Sequence, residues 1–341
     1  MHMANELLSP GVALGTGLVA LGAVGFAGRA IRDRVSTEAV PLMGVMGAFV
    51  FAAQMINFTL PAMAGTSDHL VGSMLLAILL GPHAAVITMT GVLVVQCLIF
   101  QDGGLLALGA NVVNMAVLPV YAGYGLWRVM TFSRGPVRSG RFWPATWTAA
   151  FVAVVLGSAA VCVEVGLSDR LAIPWSRFSM AMVGVHMLSG AVEGVITCAV
   201  LGALYRLYPQ LMTRPIDQES KKPAPVGVAI SVGVVALVVA GVLSWFASPY
   251  SDGLEWAVSG ENTLKAKPVL AERVDRLQER FTPLPDYSVR SGGVKASESE
   301  ASWPNVSFWT SFSGLLGVGL TLGLIWAGTK LAYRRRPAEP G

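Results

Sequence analysis

Residues 144–166 read PATWTAAFVAVVLGSAAVCVEVG, a run of 23 residues with one charged side chain, Glu164. An α-helix of roughly 20 apolar residues crosses the hydrocarbon layer of a bilayer, so this run predicts a membrane-spanning helix. The whole chain is also strongly apolar, since 54% of its 341 residues are hydrophobic and 13% are charged. Its mean hydropathy is +0.61. A soluble domain of this length would not normally show that balance, and we therefore predict an all-α polytopic membrane protein.

Eight further stretches predict helices by the same length rule. The full predicted set covers residues 11–31, 39–60, 70–80, 84–101, 105–131, 144–166, 179–206, 226–247 and 307–332. The third helix is short and is bounded by Gly81 and Pro82. We expect it to be a broken or half-depth helix lodged against protein, because lipid does not tolerate exposed backbone polar groups.

Basic residues crowd alternate connections between the predicted spans, as expected for cytoplasmic loops. They follow the first, fifth, seventh and ninth spans: Arg29, Arg32 and Arg34; Arg128, Arg134, Arg138 and Arg141; Arg206, Arg214, Lys221 and Lys222; Lys330, Arg334, Arg335 and Arg336. The loops at residues 66–69 and 101–104 carry no Lys or Arg and are predicted to face outside. We therefore expect a multi-pass protein of the cell membrane, with the N-terminus outside and the C-terminus cytoplasmic.

A polar stretch at residues 213–225, TRPIDQESKKPAP, divides the chain. Its composition is that of a linker. We expect a seven-helix body at 1–212 and a part with two transmembrane helices at 226–341, which enclose an external loop at 248–305. Within that loop, apolar residues recur at helical spacing from Val269 to Phe281 and predict one amphipathic helix.

The chain begins Met1-His2-Met3. Because the initiator methionine is removed only before small residues, we expect Met1 to stay. Its free α-amine, the amide nitrogen of His2 and the imidazole Nδ1 of His2 can close two fused chelate rings and supply three coplanar nitrogen donors. Planar nitrogen ligation favours Ni(II) or Cu(II), and intermediate to late first-row ions generally, over tetrahedral zinc. The pattern predicts a metal site that needs a fourth donor.

His69 is the candidate for the fourth donor, because it lies in a predicted external loop at the start of the third helix. Asp68 could add a carboxylate near the cation, or begin that helix as an N-terminal anion. Asn111 and Asn114 lie in the external half of the fifth span. Either amide could orient a ligand histidine through a hydrogen bond or form a hydrogen bond between helices.

Other ionisable side chains are less suited to hold the metal. His186 and Glu193 are expected to pair or to make helix contacts near the more cytoplasmic helices, and His83 falls on the predicted cytoplasmic side. The three cysteines lie in apolar runs without a CxxC pair, so no thiolate site or disulfide framework is indicated; they are Cys97, Cys162 and Cys198.

Together these residues resemble the nickel and cobalt substrate-binding subunits of energy-coupling-factor transporters, called NikM or CbiM. The resemblance covers most of the first 210 residues. The segments that resemble the family are the opening Met1-His2-Met3 followed by LSPG at 8–11, GTSDH at 65–69, and GGLLALGANVVNMA at 103–116. The C-terminal part is similar to the small NikN or CbiN partner, because SDGLE at 251–255 resembles that family's PDGLE segment. The fused architecture is similar to chains called NikMN. The sequence departs from the common pattern at Asp68, where a small residue or cysteine is frequent, and at Leu70, where proline is frequent.

The resemblance implies that Met1 and His2 supply the chelate and that His69 completes a near-planar site for Ni(II) or Co(II), the transported substrate. It implies a non-catalytic subunit that works with a membrane coupling subunit (NikQ or CbiQ-like) and two cytoplasmic ATPase subunits (NikO or CbiO-like). The fused C-terminal part favours nickel. The sequence lacks the phosphate-binding motif in which GxxxxGK is followed directly by Ser or Thr, so we expect no bound nucleotide. Its net charge of +4 is too small and its basic residues too scattered to indicate nucleic acid; membrane lipid is the expected surrounding.

Two other functions stay open at this point. An ion-coupled secondary metal transporter would predict inverted repeats and ionisable residues at mid-membrane, and we find no convincing internal repeat. An intramembrane hydrolase would use Ser67, Asp68 and His69, but a triad requires spatial rather than sequential neighbours, and no GxSxG or HExxH motif supports it. The sequence does not decide nickel against cobalt, because the same nitrogen donors accept both.

Overall fold

Twelve α-helices and one two-stranded sheet make up the described part of the chain in a computed structural model. The structure describes residues 1–34, 40–60, 62–63, 65–132, 139–209, 226–260, 263–288 and 303–334. In chain order the elements are α1 (Pro10–Arg34), α2 (Val40–Gln54), β1 (Asn57–Thr59), β2 (Ser67–His69), α3 (Ser73–Leu80), α4 (Pro82–Val95), α5 (Leu108–Val112), α6 (Leu118–Phe132), α7 (Ser139–Ser168), α8 (Trp175–Leu207), α9 (Val226–Gly241), α10 (Gly253–Val258), α11 (Val269–Phe281) and α12 (Phe308–Arg334).

The predicted all-α membrane fold is confirmed, since a helix lies in each of the nine predicted stretches. Five described helical segments are long and apolar enough to cross a bilayer: Pro10–Ile31, Pro82–Phe100, Gly140–Ser168, Trp175–Leu207 and Phe308–Lys330. The apolar helices α2 and α9 are shorter. The predicted linker at 213–225 lies outside the described residues.

Two π-helical turns interrupt the regular helices in the part of the chain that the structure describes. The turn Gln96–Phe100 continues α4, and the turn Val113–Val117 joins α5 to α6. The polar side chains of Gln96 and Asn114 on these turns are fully buried. Such turns are frequent at functional sites, because one extra residue changes which side chains face inward.

The short helix α3 is buried along its whole length, as predicted for a helix lodged against protein. The backbone amides of Val71 and Gly72 lead into it, and both donate to the carboxylate of Glu193 on α8, at 2.7 and 2.8 Å. Gly72 has a φ of 79°, which a glycine adopts without strain. Glu193 therefore satisfies backbone donors that would otherwise be unpaired before a buried helix.

The prediction that His69 starts the third helix is wrong. His69 ends strand β2, which pairs antiparallel with β1 so that Asn57 lies opposite His69, and α3 begins only at Ser73. The predicted helix 39–60 likewise ends at Gln54. Pairing with the neighbouring strand satisfies the backbone groups of this non-helical hairpin.

The C-terminal helices α9 and α12 pack against α2 of the N-terminal body, and α12 also packs against α4. We call the connection between them, residues 248–305, the interhelical segment. The predicted amphipathic helix is confirmed as α11, whereas α10 was not predicted. The start of the interhelical segment extends the hairpin edge, because Ser67 N donates to Ser251 O at 2.9 Å and Ser248 N donates to Asn57 O at 2.7 Å. Residues 248–251 therefore lie against the end of the bundle that carries His69.

Candidate metal site

Residues 1–9 precede α1, and we call them the N-terminal arm. This arm begins inside the end of the bundle that carries His69. Met1 and Met3 are fully buried. Met3 N donates to Asn111 Oδ1 at 2.8 Å, and Gly104 N donates to Met3 O at 2.8 Å. A Cβ on Gly104 would lie 2.4 Å from Asn5 N, so this close approach of two backbone segments requires glycine.

The structure brings the three predicted metal-binding residues together. The α-amino nitrogen of Met1 lies 3.5 Å from His69 Nε2. The imidazole rings of His2 and His69 are stacked, with centroids 5.1 Å apart and an interplanar angle of 25°. Nitrogen donors from positions 1, 2 and 69 thus share one small volume.

His69 presents one defined nitrogen to this volume. Its Nδ1 lies 3.0 Å from the carbonyl oxygen of Leu70. Because a carbonyl oxygen only accepts, Nδ1 carries the hydrogen, and the lone pair of the neutral ring is on Nε2. That lone pair is directed to the side of the ring on which the Met1 amine lies.

His2 contacts a polar group through each ring nitrogen. Nδ1 lies 3.2 Å from Asp102 Oδ1, and Nε2 lies 3.2 Å from Gln96 Oε1. The carboxylate of Asp102 also accepts the hydroxyl of Tyr287 at 2.7 Å. Burial lowers the pKa of the His2 imidazole to about 4, so at neutral pH the ring is uncharged and able to bind a metal.

The interhelical segment contributes a carboxylate to the same site. Asp252 Oδ2 lies 3.1 Å from the Met1 amine. Asp252 is the N-cap of α10 and forms a capping box with Glu255, which fixes its position. Burial acts to raise the pKa of Asp252, but the nearby amine and His69 more than offset this and hold that pKa well below its usual range.

A cavity of about 550 Å³ opens beside these groups. Most of its charged lining residues are carboxylates, and they would attract a cation: Glu6, Asp102, Asp252, Glu255, Asp275 and Asp286. Within the described residues, no group of three or more His, Cys, Asp or Glu side chains is arranged to hold a metal ion.

The three predicted supporting residues have other partners. The carboxylate of Asp68, in β2, accepts the Ser189 hydroxyl and, at 2.9 Å, the amide of His69. Asp68 does not begin a helix, because it is in a strand. Asn111 holds the backbone of Met3, while Asn114 donates to Glu164 at 2.6 Å and lies 3.6 Å from Met3 Sδ. The asparagines thus position the chain around Met3, and neither forms a hydrogen bond with a histidine of the described residues.

His186 and Glu193 lie closer to the site than predicted. His186 Nε2 is 3.6 Å from Asp68 Oδ2, and Glu193 binds the backbone just after His69. Their predicted structural role agrees with these contacts. His83 contacts the Tyr121 hydroxyl at 3.1 Å.

Gln96, Asp102 and Asp252 were missed as site residues. Asp102 and Asp252 each carry a signal in the sequence, since both lie in segments predicted to face the same side as His69. Gln96 lies inside an apolar run and gives no such signal.

These features define the class: a polytopic helical membrane protein whose N-terminal arm brings nitrogen donors into an acidic cavity at one end of the bundle. Residues 2–211 match the family described as CbiM, cobalt uptake substrate-specific transmembrane region. Residues 227–334 match the PDGLE domain. The chain belongs to the CbiM family and carries a PDGLE domain in the same polypeptide.

Similar proteins carry transport names. A putative fused nickel transport protein NikMN of Archaeoglobus fulgidus is 32% identical over 97% of this chain and 99% of its own length. A putative metal transport protein of Haloquadratum walsbyi is 38% identical over 65% of this chain and 98% of its own length. The crystal structure of a truncated transition metal transporter matches with a TM-score of 0.53 and 32% identity, covering 61% of this chain and 99% of that one. These names agree with the predicted non-catalytic transport subunit.

Proposed function

We propose that this chain is the substrate-capturing subunit of an ATP-driven energy-coupling-factor importer for Ni(II) or Co(II), with nickel favoured. The observation that carries the proposal is the convergence of the Met1 amine, the His2 imidazole and the His69 imidazole. We assign the metal-binding role to Met1, His2 and His69.

The separations of these groups suit a late transition ion. Two adjacent donors on one ion, with metal–nitrogen bonds of about 2.0–2.1 Å at a right angle, lie roughly 2.9 Å apart. The 3.5 Å between the amine of Met1 and His69 Nε2 exceeds this by less than an ångström. A small closure of the arm would bring both nitrogens onto one ion, and a planar nitrogen set suits Ni(II).

The basic residues support an orientation. Arg29, Arg206 and Lys330 lie near the C-terminal ends of α1, α8 and α12, and such residues are most frequent on the cytoplasmic side of a membrane protein. We propose that the site faces outside in a cell membrane, with the C-terminus in the cytoplasm. The division into a body at 1–212, a linker at 213–225 and a second part at 226–341 belongs to the same proposal.

The energy for import would come from other chains. The sequence has no phosphate-binding loop, and the resemblance to energy-coupling-factor subunits implies a membrane coupling subunit with two cytoplasmic ATPases. The name of a similar chain described above, the putative fused nickel transport protein NikMN of Archaeoglobus fulgidus, supports nickel as the cargo.

The hydrolase alternative is disfavoured by the local geometry. The hydroxyl of Ser67 donates to the carbonyl oxygens of Tyr250 and Ser251. Neither His69 nor Asp68 is its partner, because His69 faces the amine of Met1 and Asp68 accepts from Ser189. A serine without a base is not an activated nucleophile.

Uptake of radioactive nickel by cells would test the proposal. Cells would produce this chain with its coupling subunit and ATPases, or with ATPases whose phosphate-loop lysine is replaced. We expect uptake only with active ATPases. Equal uptake with the inactive ATPases would favour an ion-coupled secondary transporter instead.

A further inference from the structure

Helix α11 turns the side that carries Gln278 towards the body and leaves apolar side chains exposed. Ala271 and Gln278 are buried. Leu270, Leu277 and Phe281 are 42%, 49% and 71% exposed, and we call these three residues the apolar stripe. An amphipathic helix in water usually turns its apolar side to the protein core. The reversed orientation of α11 therefore indicates an apolar partner outside the described residues.

The apolar stripe begins beside two membrane-spanning helices. Leu270 lines a groove of about 510 Å³ together with Leu14 of α1 and Val94 of α4. Both helices belong to segments that are long and apolar enough to cross a bilayer. Leu14 is itself exposed, as expected for a side chain that faces lipid. The stripe thus continues the apolar surface that a spanning helix presents to the bilayer.

The C-terminal half of α11 lies at the end of the apolar segment Pro82–Phe100. Donors from α11 and from the residues after it satisfy carbonyl oxygens of the π-helical turn that ends this segment: Gln278 Nε2 bonds to Cys97 at 3.0 Å, Thr282 Oγ1 to Leu98 at 3.4 Å, and Leu284 N to Ile99 at 3.2 Å. Carbonyl groups left unpaired beside lipid would be costly. Both halves of α11 therefore lie at the level where membrane-spanning segments end.

The charges of α11 are sorted around the stripe. At about 100° per residue, Arg273 and Arg280 lie roughly 60–80° from the centre of the stripe, whereas Glu272 and Glu279 lie roughly 160–180° from it. All four side chains are exposed. Arginines at the border of an apolar face can reach the phosphate groups of lipids while their stems stay on apolar surface. The glutamates are kept away from those phosphates.

We propose that α11 is an interfacial helix, whose apolar stripe lies in the lipid leaflet at the arm end of the bundle with Arg273 and Arg280 at the lipid phosphates. The same helix contacts the N-terminal arm, because Asn5 Nδ2 donates to Asp275 Oδ1 at 2.5 Å. Attachment of α11 to lipid therefore holds a binding partner of the arm at the membrane surface.

Nitroxide labels on the full chain measure the depth of α11 in vesicles of phosphatidylcholine and phosphatidylglycerol, without partner subunits. After the three native cysteines are replaced by alanine, one introduced cysteine carries the label. Leu277→Cys and Phe281→Cys report on the stripe, and Glu272→Cys and Glu279→Cys are matched controls on the opposite side. Collisions with oxygen, which concentrates in lipid, are compared with collisions with chromium oxalate, which stays in water.

We expect labels in the stripe to collide more with oxygen than with chromium oxalate, and labels at the glutamate positions to show the reverse. More collisions with chromium oxalate in the stripe would place it in water and overturn the inference. Few collisions with either reagent would also overturn it, because a protein surface, from a second copy or from another segment of this chain, would then cover the stripe.

A second measurement needs no substitution. A phospholipid with a photoreactive diazirine in its acyl chain modifies the side chains that it touches in the wild-type protein, and mass spectrometry locates them. We expect modification of Leu277 or Phe281 as well as Leu14, and none of Glu272 or Glu279. Modification of Leu14 without the stripe would show that lipid reaches α1 but not α11, which contradicts the proposal. Neither measurement involves nickel, so the result is independent of the proposed function.

Discussion

Asp252 Oδ2 lies 3.1 Å from the α-amino nitrogen of Met1, although 251 positions of sequence separate the two residues. The contact joins the interhelical segment to the first atom of the N-terminal arm. The C-terminal part of the chain therefore forms one wall of the candidate metal site, in addition to packing against the helices of the body.

Replacing Asp252 should weaken metal binding. A carboxylate attracts a doubly charged ion more strongly than the singly charged ammonium group that it contacts in the metal-free protein. We expect Asp252→Asn to lower nickel affinity by about tenfold, which corresponds to about 1.4 kcal/mol. Titration calorimetry of the purified protein would measure this change. Asp169→Asn is the matched control, because Asp169 is exposed and pairs with Lys265; equal effects of both variants would refute a local role.

Removing the His69 side chain should abolish stable metal capture, because the amine and His2 would lose the donor that faces them. We expect His69→Ala to retain less than about one tenth of the nickel bound by the wild type, since one lost ligand costs at least 1.4 kcal/mol. Metal analysis after desalting measures this. His83→Asn removes a histidine outside the site and should bind as the wild type does. If the two variants bound equal amounts, His69 would not be a ligand.

Metal binding should release protons. Burial acts to lower the pKa of the Met1 amine, but Asp252, Asp68 and Asp102 offset it and raise that pKa above 8.0. The amine is thus protonated at neutral pH and must lose its proton to bind, as must the backbone amide of His2. The low pKa of the His2 imidazole means that this ring releases none.

Affinity should therefore rise with pH, with about two protons released per nickel ion at pH 8, and should rise less steeply above the amine pKa, where only the backbone amide still loses a proton. Calorimetry in buffers of different ionisation enthalpy counts these protons. Release of only about one proton per nickel ion between pH 6 and 8 would exclude the amine as a ligand.

Gln278 on α11 should stabilise the N-terminal arm. Its Oε1 accepts from Asn5 at 3.1 Å and from Leu105 N at 2.9 Å, and its Nε2 donates to the carbonyl oxygens of Cys97 and Gly103 at 3.0 and 2.9 Å. Gln278→Leu would leave buried partners unsatisfied, at a cost of about 1–3 kcal/mol.

We expect this variant to melt at a lower temperature and to bind nickel more weakly. Thermal unfolding in detergent, followed by tryptophan fluorescence, would measure the first effect. Leu277→Ala on the exposed side of α11 is the control. If Gln278→Leu were as stable as this control, the hydrogen bonds of Gln278 would contribute nothing to the stability of the folded protein.

Much of the fold follows from local properties of the sequence. The length of the apolar runs predicts the long helices, and apolar residues at helical spacing predict α11. Both signals can be found in the sequence because they depend on residues that are close together in the chain. The hairpin of β1 and β2 has no such local pattern. Its three-residue strands exist because backbone groups pair across the turn, so the helix predicted for 39–60 extends too far.

The site could be predicted only in part. Met1 and His2 form a chelate by their covalent connection, and His69 lies in a loop predicted on the same side. Gln96 and Asp252 reach the arm across separations of 94 and 251 residues. Such contacts depend on how the helices pack, and no spacing within the sequence encodes them.

The nickel content of a protein with two residues, Gln and Leu, inserted between Met1 and His2 tests the central claim most directly. Two residues move the amine out of reach of the imidazole, and a large residue after Met1 keeps the methionine in place. The same two residues appended after Gly341 give the control. We predict that the N-terminal insertion reduces bound nickel to less than about one tenth of the control. Equal nickel in both proteins would contradict a site built on the amine of Met1.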